Sequence, residues 1–308
     1  MSVVLVAATA WFFSRTRTGL IIRAIGELVV EKSGVLNLGV EGMMIVGAVA
    51  GFAVTMETGS FLAGVVAAMI AGALVAFLFG VLTQTLLANQ VATGLALTLF
   101  GLGLAALVGQ GYSGKSAPEF PKLYIPGLSE LPVIGPIIFG QDPLVYLSVV
   151  LVAATAWFFS RTRTGLIIRA IGENHDAAHA IGYPVVAYRY AALLFGGACA
   201  GLGGAYLSVV QTPLWVENMT AGRGWIALAL VVFAAWRPWR AFFGAYLFGG
   251  ITIVQLHSQA LGLGIEPQLL AMLPYLATIV VLVLISYDRA RARLNAPANL
   301  GQTFFAST

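Results

Sequence analysis

Long apolar runs, broken by short polar or glycine- and proline-marked stretches, organise the whole chain. They lie near residues 34–56, 60–88, 91–111, 143–159, 189–212, 225–236, 241–257 and 268–287. Most approach the ~20 residues a helix needs to cross a bilayer's hydrocarbon. None alternates with the period of two that marks a half-buried strand. A span through lipid must close its own backbone hydrogen bonds, so the pattern predicts an all-α fold, a polytopic transmembrane helix bundle of about eight spans. The run at 225–236 is short for a crossing. It predicts a tilted segment, or one that joins 236–240 as a tight hairpin inside the bundle.

Composition supports lipid as the main solvent. Only 9% of the residues are charged and 59% are hydrophobic, with a mean hydropathy of +0.92. A soluble domain carries roughly a quarter charged residues, so this chain lacks the charges to cover a water-facing surface. The single cysteine, Cys199, lies in an apolar run and excludes an internal disulfide or a multi-cysteine metal site. An even number of crossings puts both ends on one side. That side holds Arg15, Arg17, Arg23, Lys32, Arg161, Arg163, Arg169, Arg189, Arg237, Arg240, Arg289, Arg291 and Arg293, against Lys115, Lys122 and Arg223 on the other. Retention of basic residues on the cytoplasmic side explains the asymmetry. It predicts a multi-pass protein of the inner (plasma) membrane with a cytoplasmic C-terminus. The five prolines between Ser113 and Asp142 predict an irregular outer cap, either a plain connection or a docking surface for an extracytoplasmic partner.

Residues 2–27 recur without change at 148–173. Nothing else in the chain is repeated in this way, so the copy reads as a recent duplication, a recombined gene or a misassembled one. It does not read as the inverted repeat of a secondary transporter. Met1–Phe13 would reach ~20 Å across a ~30 Å hydrocarbon layer. Residues 2–30 are therefore expected not to cross, with Leu20–Val30 a poor helix interrupted by Arg23 and Glu27. The expected organisation is a duplicated, foreign segment at 1–30, a transmembrane domain at 31–288 and a cytoplasmic tail at 289–308.

Few residues carry chemistry. Gly109, Gly114, Lys115 and Ser116 match the spacing of a phosphate-binding loop, but Pro118 and Pro121 block the helix that such a loop must open. Between 160 and 185, Asn174 suits an N-cap, Asp176 the first turn and Gly182 a C-terminal cap. A short helix over about Ala177–Ile181 is predicted there, either an ordinary capped loop or a receiver of mechanical force. His175 and His179 read as exposed polar residues, without a third ligand for a metal. In residues 31–43, Asn37 and Glu41 are spaced to share one helical face. A carboxylate at membrane depth faces a bundle interior or a wet cavity, so Glu41 is either a pathway residue or a structural lock by ion pairing or capping. Asn89 and Thr93 begin a span and either line an inner gate or cap that helix.

Four ordered strings, EKSGVLNLGVEGMM (31–44), NQVATGLALTLFG (89–101), GLIIRAIGENHDAAHAIG (165–182) and GRGWIALALVVFAAWRP (222–238), resemble the inner-membrane permeases of bacterial ABC importers. The nucleoside branch looks closest, beside those for simple sugars and branched-chain amino acids. The resemblance implies a permease that is not an enzyme and binds no cofactor, with ATP hydrolysed by separate ABC ATPase subunits. It also implies a second permease subunit, an extracytoplasmic solute-binding lipoprotein, and no nucleic acid. Arg169, Glu173, Asn174, Ala178 and Gly182 match the positions of the loop that contacts the ATPase, and Asn37, Glu41, Asn89 and Thr93 are the pathway candidates. The competing readings are a sugar or branched-chain amino acid permease of the same type, an ion-coupled secondary transporter, and a membrane enzyme. The second of these requires several intramembrane carboxylates, and the third a catalytic cluster at one depth.

Overall fold

A computed structural model describes residues 18–118, 123, 139–260 (backbone alone for 251–260), six single positions between 269 and 283, and 296–305. The described helices are α1 (Thr18–Lys32), α2 (Val40–Thr58), α3 (Phe61–Gly80), α4 (Gln90–Gly109), α5 (Pro143–Arg161), α6 (Arg163–Glu173), α7 (His175–Ala180), α8 (Val185–Ala205), α9 (Arg223–Phe233) and α10 (Pro238–Ala260). α3 continues in a π-helical turn, Val81–Thr85, and α8 in another, Tyr206–Gln211. Five of these elements are long and apolar enough to cross a bilayer: α2, α3 and α8 with their continuations, α4 to Tyr112, and α5. Among the described residues there is no strand, so the helical membrane bundle expected from the pattern holds. Of the predicted span 268–287, only Leu269, Met272, Leu276, Ile279, Val280 and Val283 are described. All six are helical and exposed. The outer cap lies largely outside the described residues.

The core is a four-helix nucleus of α1, α2, α3 and α8. Lipid gives helices no hydrophobic reason to associate, so close approach through small residues has to supply the packing. A Cβ on Gly201 of α8 would lie 2.0 Å from the Ala68 carbonyl of α3, and one on Gly47 of α2 would lie 2.3 Å from Gly201 Cα. α4 and α5 are peripheral, with most of their faces exposed as Leu95, Leu99, Leu107, Val150 and Trp157.

The main departure from the expected organisation is α1. Leu20–Val30 is expected to be a poor helix interrupted by Arg23 and Glu27, yet Thr18–Lys32 is continuous and buried from Thr18 to Glu31. Gly26 packs against Cys199 and Gly203 against the Arg23 stem, so α8 has the grooves to receive it. Its ~22 Å length falls short of a full crossing. The identical residues 163–173 form α6 instead, an amphipathic helix buried only along Gly165, Ile167, Ile168, Ile171 and Gly172.

Two stretches of non-helical chain enter the bundle. After Lys32, residues 33–39 leave the helical path at Gly34 (φ +85°), so α2 starts at Val40 rather than near residue 34. After Gln211 the chain returns through 212–222, held at one end of α4 by Ala117 N–H donating to the Pro213 carbonyl (3.0 Å) and by buried Trp215 against Gly109. α9 then spans 11 residues, ~16 Å, about half a crossing. It turns sharply at Ala234–Arg237 into α10, so that of the two shapes expected for this run the tight hairpin is the one found, turning slightly before 236–240. One end of the bundle therefore collects Lys32, the end of α5, α6, α7 and the α9–α10 turn, and we call it the basic end.

Arg23 is exposed to a sharper mismatch than its copy Arg169. It is buried, its guanidinium donating among the described residues to the Gly19 carbonyl (2.9 Å) and the Met44 sulfur, with the charges of Glu41 and Arg223 acting on it, whereas Arg169 lies on the surface of α6. Taking a charge out of water costs several kcal/mol, and Arg23 has no carboxylate in hydrogen-bond contact among the described residues to offset it. Arg23→Leu is accordingly expected to raise the thermal midpoint of the purified protein, while Arg169→Leu leaves it unchanged or lowers it.

Candidate functional site

The polar interior of the bundle is built where the two non-helical stretches meet. Glu41, in the first turn of α2, is buried, and its carboxylate accepts the Gly222 N–H (2.9 Å) and the Gly224 N–H (2.5 Å) at the start of α9. These are donors that a helix leaves unpaired at its N-terminus, and the anion also sits at the positive end of the α9 dipole. A Cβ on Gly224 would lie 2.5 Å from Glu41 Oε2, so only glycine admits the approach. Trp225 Nε1–H and the Thr98 hydroxyl both donate to the Leu38 carbonyl, closing the other stretch (3.2 Å each). Asn37 caps its own turn by accepting from Gly39 N–H (3.1 Å), and its amide reaches Glu27 Oε2 at 3.4 Å. The other Glu27 oxygen is buried with no hydrogen-bond partner among the described residues.

Beside this layer, Arg23, Met44, Tyr206, Gln211, Arg223 and Phe248 line a cavity of about 90 Å3. That is room for about three waters, well below the roughly 300 Å3 of a small-molecule site. The cavity has a mixed lining, with Leu20, Leu207 and Ile226 beside the polar groups, and is too small for a solute compartment.

A second constellation lies at the basic end. Asn174 accepts from Ala177 N–H (2.9 Å) and caps α7, and Gly182, at φ +90°, closes its far side by donating to the His179 carbonyl (2.8 Å). Ala178 faces inward against Ile167, Ile171, Val185 and Phe304. The opposite surface presents Glu173, Asp176, His179 and, at the tip, Ile181 with 72% of its surface exposed. Residues 296–305 are strapped beneath this unit. Asn299 N–H donates to the Gly172 carbonyl (2.9 Å) and Gly301 N–H to the Gly34 carbonyl (3.0 Å). The Phe304 ring meets both His175 and His179 edge-on, with centroids 5.3 and 5.2 Å away. Arg189, fully buried at the start of α8, ties the pieces together. It donates to the Ser33 carbonyl, Gln84 Oε1 and the Gln302 carbonyl, and meets His175 Nδ1 at 3.1 Å.

The structure sorts the residues singled out from sequence. Glu41 acts as a helix cap. Asn37 does not share a helical face with it, because residue 37 lies in the non-helical stretch before α2. Asn89 is the exposed N-cap of α4, accepting from Ala92 N–H (3.0 Å), and Thr93 is buried one turn later, beside Gly94, which packs on Leu38 and Gly39. α7 runs His175–Ala180, two residues earlier than expected. His175 is buried, not exposed, since Arg189 needs an acceptor there, whereas His179 is exposed. Among the described residues no group of three or more metal-ligating side chains forms. The loop matching a phosphate-binding pattern is a short 3-10 turn, Gln110–Tyr112, with the Lys115 ammonium 5.4 Å from the Tyr112 ring centroid. Ile181 and the Arg189 network were missed. A lone arginine entering an apolar run was the signal for the latter.

The two constellations, a capped interior discontinuity and a protruding capped helix at one end, frame the comparison with known proteins. Residues 24–285 match the family model described as branched-chain amino acid transport system / permease component. The chain belongs to this permease family. The permease is 40% identical to the putative glucose ABC transporter permease protein TsgC13 of Haloferax volcanii, over 93% of this chain and 94% of that protein. It is 32% identical to the nucleoside ABC transporter permease protein NupC of Lactococcus lactis (87% and 88% covered) and to the guanosine ABC transporter permease protein NupQ of Bacillus subtilis (85% and 87%). No solved structure matches it. As an ABC permease subunit it is not an enzyme.

Two expectations test the geometry. Each hydrogen bond to a charged group contributes about 1.5–3 kcal/mol. Glu41→Ala, which removes two, should lower stability by about 3 kcal/mol or more, and Glu41→Gln by less, as read from thermal unfolding. At the basic end, burial and then the Arg189 charge hold the His175 pKa below its usual 6.5, only partly offset by Asp176. The neutral ring is therefore favoured by the folded state, so its contribution is complete above about pH 6.5 and falls as pH drops below that value. The rate at which a cysteine replacing buried Phe304 reacts with a thiol reagent, taken as a ratio to that of a cysteine at exposed Phe305, should be larger at about pH 5 than at about pH 7.5.

Proposed function

We propose that this permease is the transmembrane subunit of a nucleoside importer, lying in the plasma membrane with its basic end and C-terminus in the cytoplasm. Separate ATPase subunits hydrolyse ATP and push on α7. A second permease subunit completes the pathway, and an extracytoplasmic solute-binding protein delivers the substrate. The observation that carries this reading is α7 itself. It is capped on both sides, presents apolar Ile181 to solvent, and is fastened from beneath to α8 and to the α1–α2 connection through Arg189 and the 296–305 strap. A helix fixed in this way transmits displacement into the bundle instead of absorbing it. The small volume of the interior cavity supports a pathway shared with a partner subunit rather than enclosed in one chain. Asn37, Glu41 and Thr93 would act on that pathway by holding the helix ends that border it, with Asn89 capping α4 at its inner end.

Nucleosides are favoured by the four sequence strings and by the nucleoside and guanosine permeases among the relatives. A hexose is the second reading, supported by the relative that bears a glucose name. Both ligands are polyhydroxylated rings.

Reconstitution with the cognate ATPase and binding protein tests the mechanism. Uptake should require ATP, and Ile181→Asp should reduce it by roughly tenfold, the effect of removing a central apolar contact of an interface. Uptake driven by an ion gradient without ATP would overturn the importer reading. Competition among guanosine, glucose and leucine at the binding protein decides the ligand.

A further inference from the structure

A pocket of about 220 Å3 opens at the basic end, separate from the Glu41 layer and from the exposed face of α7. Three elements meet there, each with a cation: Lys32 from the end of α1, Arg169 from α6 and Arg237 from the α9–α10 turn. Ser160 adds a hydroxyl, and among the described residues no carboxylate lines the walls. Among the described residues, Glu31 and Glu173 act on Lys32, as do Arg169 and Arg237. Glu31 is buried, with Oε2 accepting the Trp236 indole N–H at 2.5 Å. That bond holds a backbone of unusual shape, since Ala235 and Trp236 both adopt left-handed conformations (φ 47° and 54°). Consecutive non-glycine residues in that region persist only where their surroundings over-determine them. Here the strained turn sets Arg237 at the pocket beside two other cations.

Three cations from three elements around one opening give it a positive potential that draws an anion. The volume, equal to about seven waters, accommodates a phosphate diester. An exposed apolar track begins next to the pocket residue Pro238. Trp239, Phe243 and Leu247 follow at one-turn intervals along α10 with 47%, 67% and 47% of their surfaces exposed. A free phosphate would make no use of that track, whereas acyl chains would lie along it. The geometry points to a site for an anionic phospholipid, its phosphate held by Lys32, Arg169 and Arg237 and its chains against α10. Basic pockets between transmembrane helices take such headgroups. The lipid bridges α6, through which α7 is attached, to α1 and the α9–α10 hairpin. Its assignment to the cytoplasmic leaflet rests on the orientation proposed above; the binding itself does not.

Native mass spectrometry of the intact purified permease with phosphatidylglycerol, phosphatidylcholine or inorganic phosphate tests the site without reference to transport or orientation. Phosphatidylglycerol should be retained in preference to phosphatidylcholine, and millimolar inorganic phosphate should not displace it. The double variant Lys32→Gln/Arg237→Gln should weaken retention by roughly tenfold or more. Arg237→Lys should restore part of the loss, and Trp239→Ala should weaken retention without changing charge. Equal retention of the two lipids, or unchanged retention in the folded double variant, would overturn the proposal. Displacement by phosphate with no lipid preference would overturn its lipid source. A transport failure in a protein that still selects phosphatidylglycerol would count against the importer reading alone.

Discussion

Peptide groups inside a bilayer have no water to turn to, and this bundle carries two stretches of non-helical backbone into its interior. The Glu41 carboxylate resolves the more exposed of these problems by taking two amides at the start of α9. Much of the architecture follows from that contact. Because α9 can begin inside the bundle, 11 residues are enough to carry the chain to the basic end. Because it arrives there, the α9–α10 turn lands beside Lys32 and Glu31, where Trp236 is bonded and Arg237 positioned. The cap also fixes residues 33–41 against α9, and through Ser33 and Gly34 that segment becomes the floor on which Arg189 and the 296–305 strap are laid.

The duplicated segment shows how little a helix-forming sequence decides about its own location. Residues 18–27 and 164–173 are identical. In α6 the polar side of that sequence faces outward, as its amphipathic pattern requires. In α1 the same side chains are enclosed by α8, α9, α5 and α10. The family match begins at Ala24, inside the repeat, so Ala24–Glu27 serve both contexts. What draws α1 inward is Leu28–Glu31 beyond the repeat, together with small residues on α8 such as Gly196, against which Val30 packs. The polar residues Arg23 and Glu27 are carried along by helical continuity, which explains why one is satisfied by a carbonyl and a thioether and the other keeps an unpaired oxygen.

Sequence pattern alone captured the helical membrane class, the order of most spans, the tight turn after 225–236 and the short capped helix near 175–181. These are local properties, encoded in run length, prolines and cap residues. Glu41 was legible as a buried carboxylate, but its role was not, because its partners Gly222 and Gly224 lie far along the chain and contribute only backbone. Asn37 was misplaced on a helix because Gly34 and the Asn37 cap itself shift the start of α2 to Val40. The fate of α1 was misread for the opposite reason: local polarity was weighed without the receiving surface on α8. The burial of His175 depends on Arg189 and Phe304, and no spacing rule links those three positions.

The strap formed by residues 296–305 closes the basic end by joining Gly34, Gly172, Arg189 and the two histidines of α7. Synthesis runs from the N-terminus, so this strap emerges after every element it touches. Until then α7 lacks the Phe304 ring beneath it, and the Arg189 guanidinium lacks one of its carbonyl acceptors. The exposed face of α7 is thus backed last. A chain that stopped before Asn299 would leave α7 without the ring and the backbone bonds that hold it from beneath.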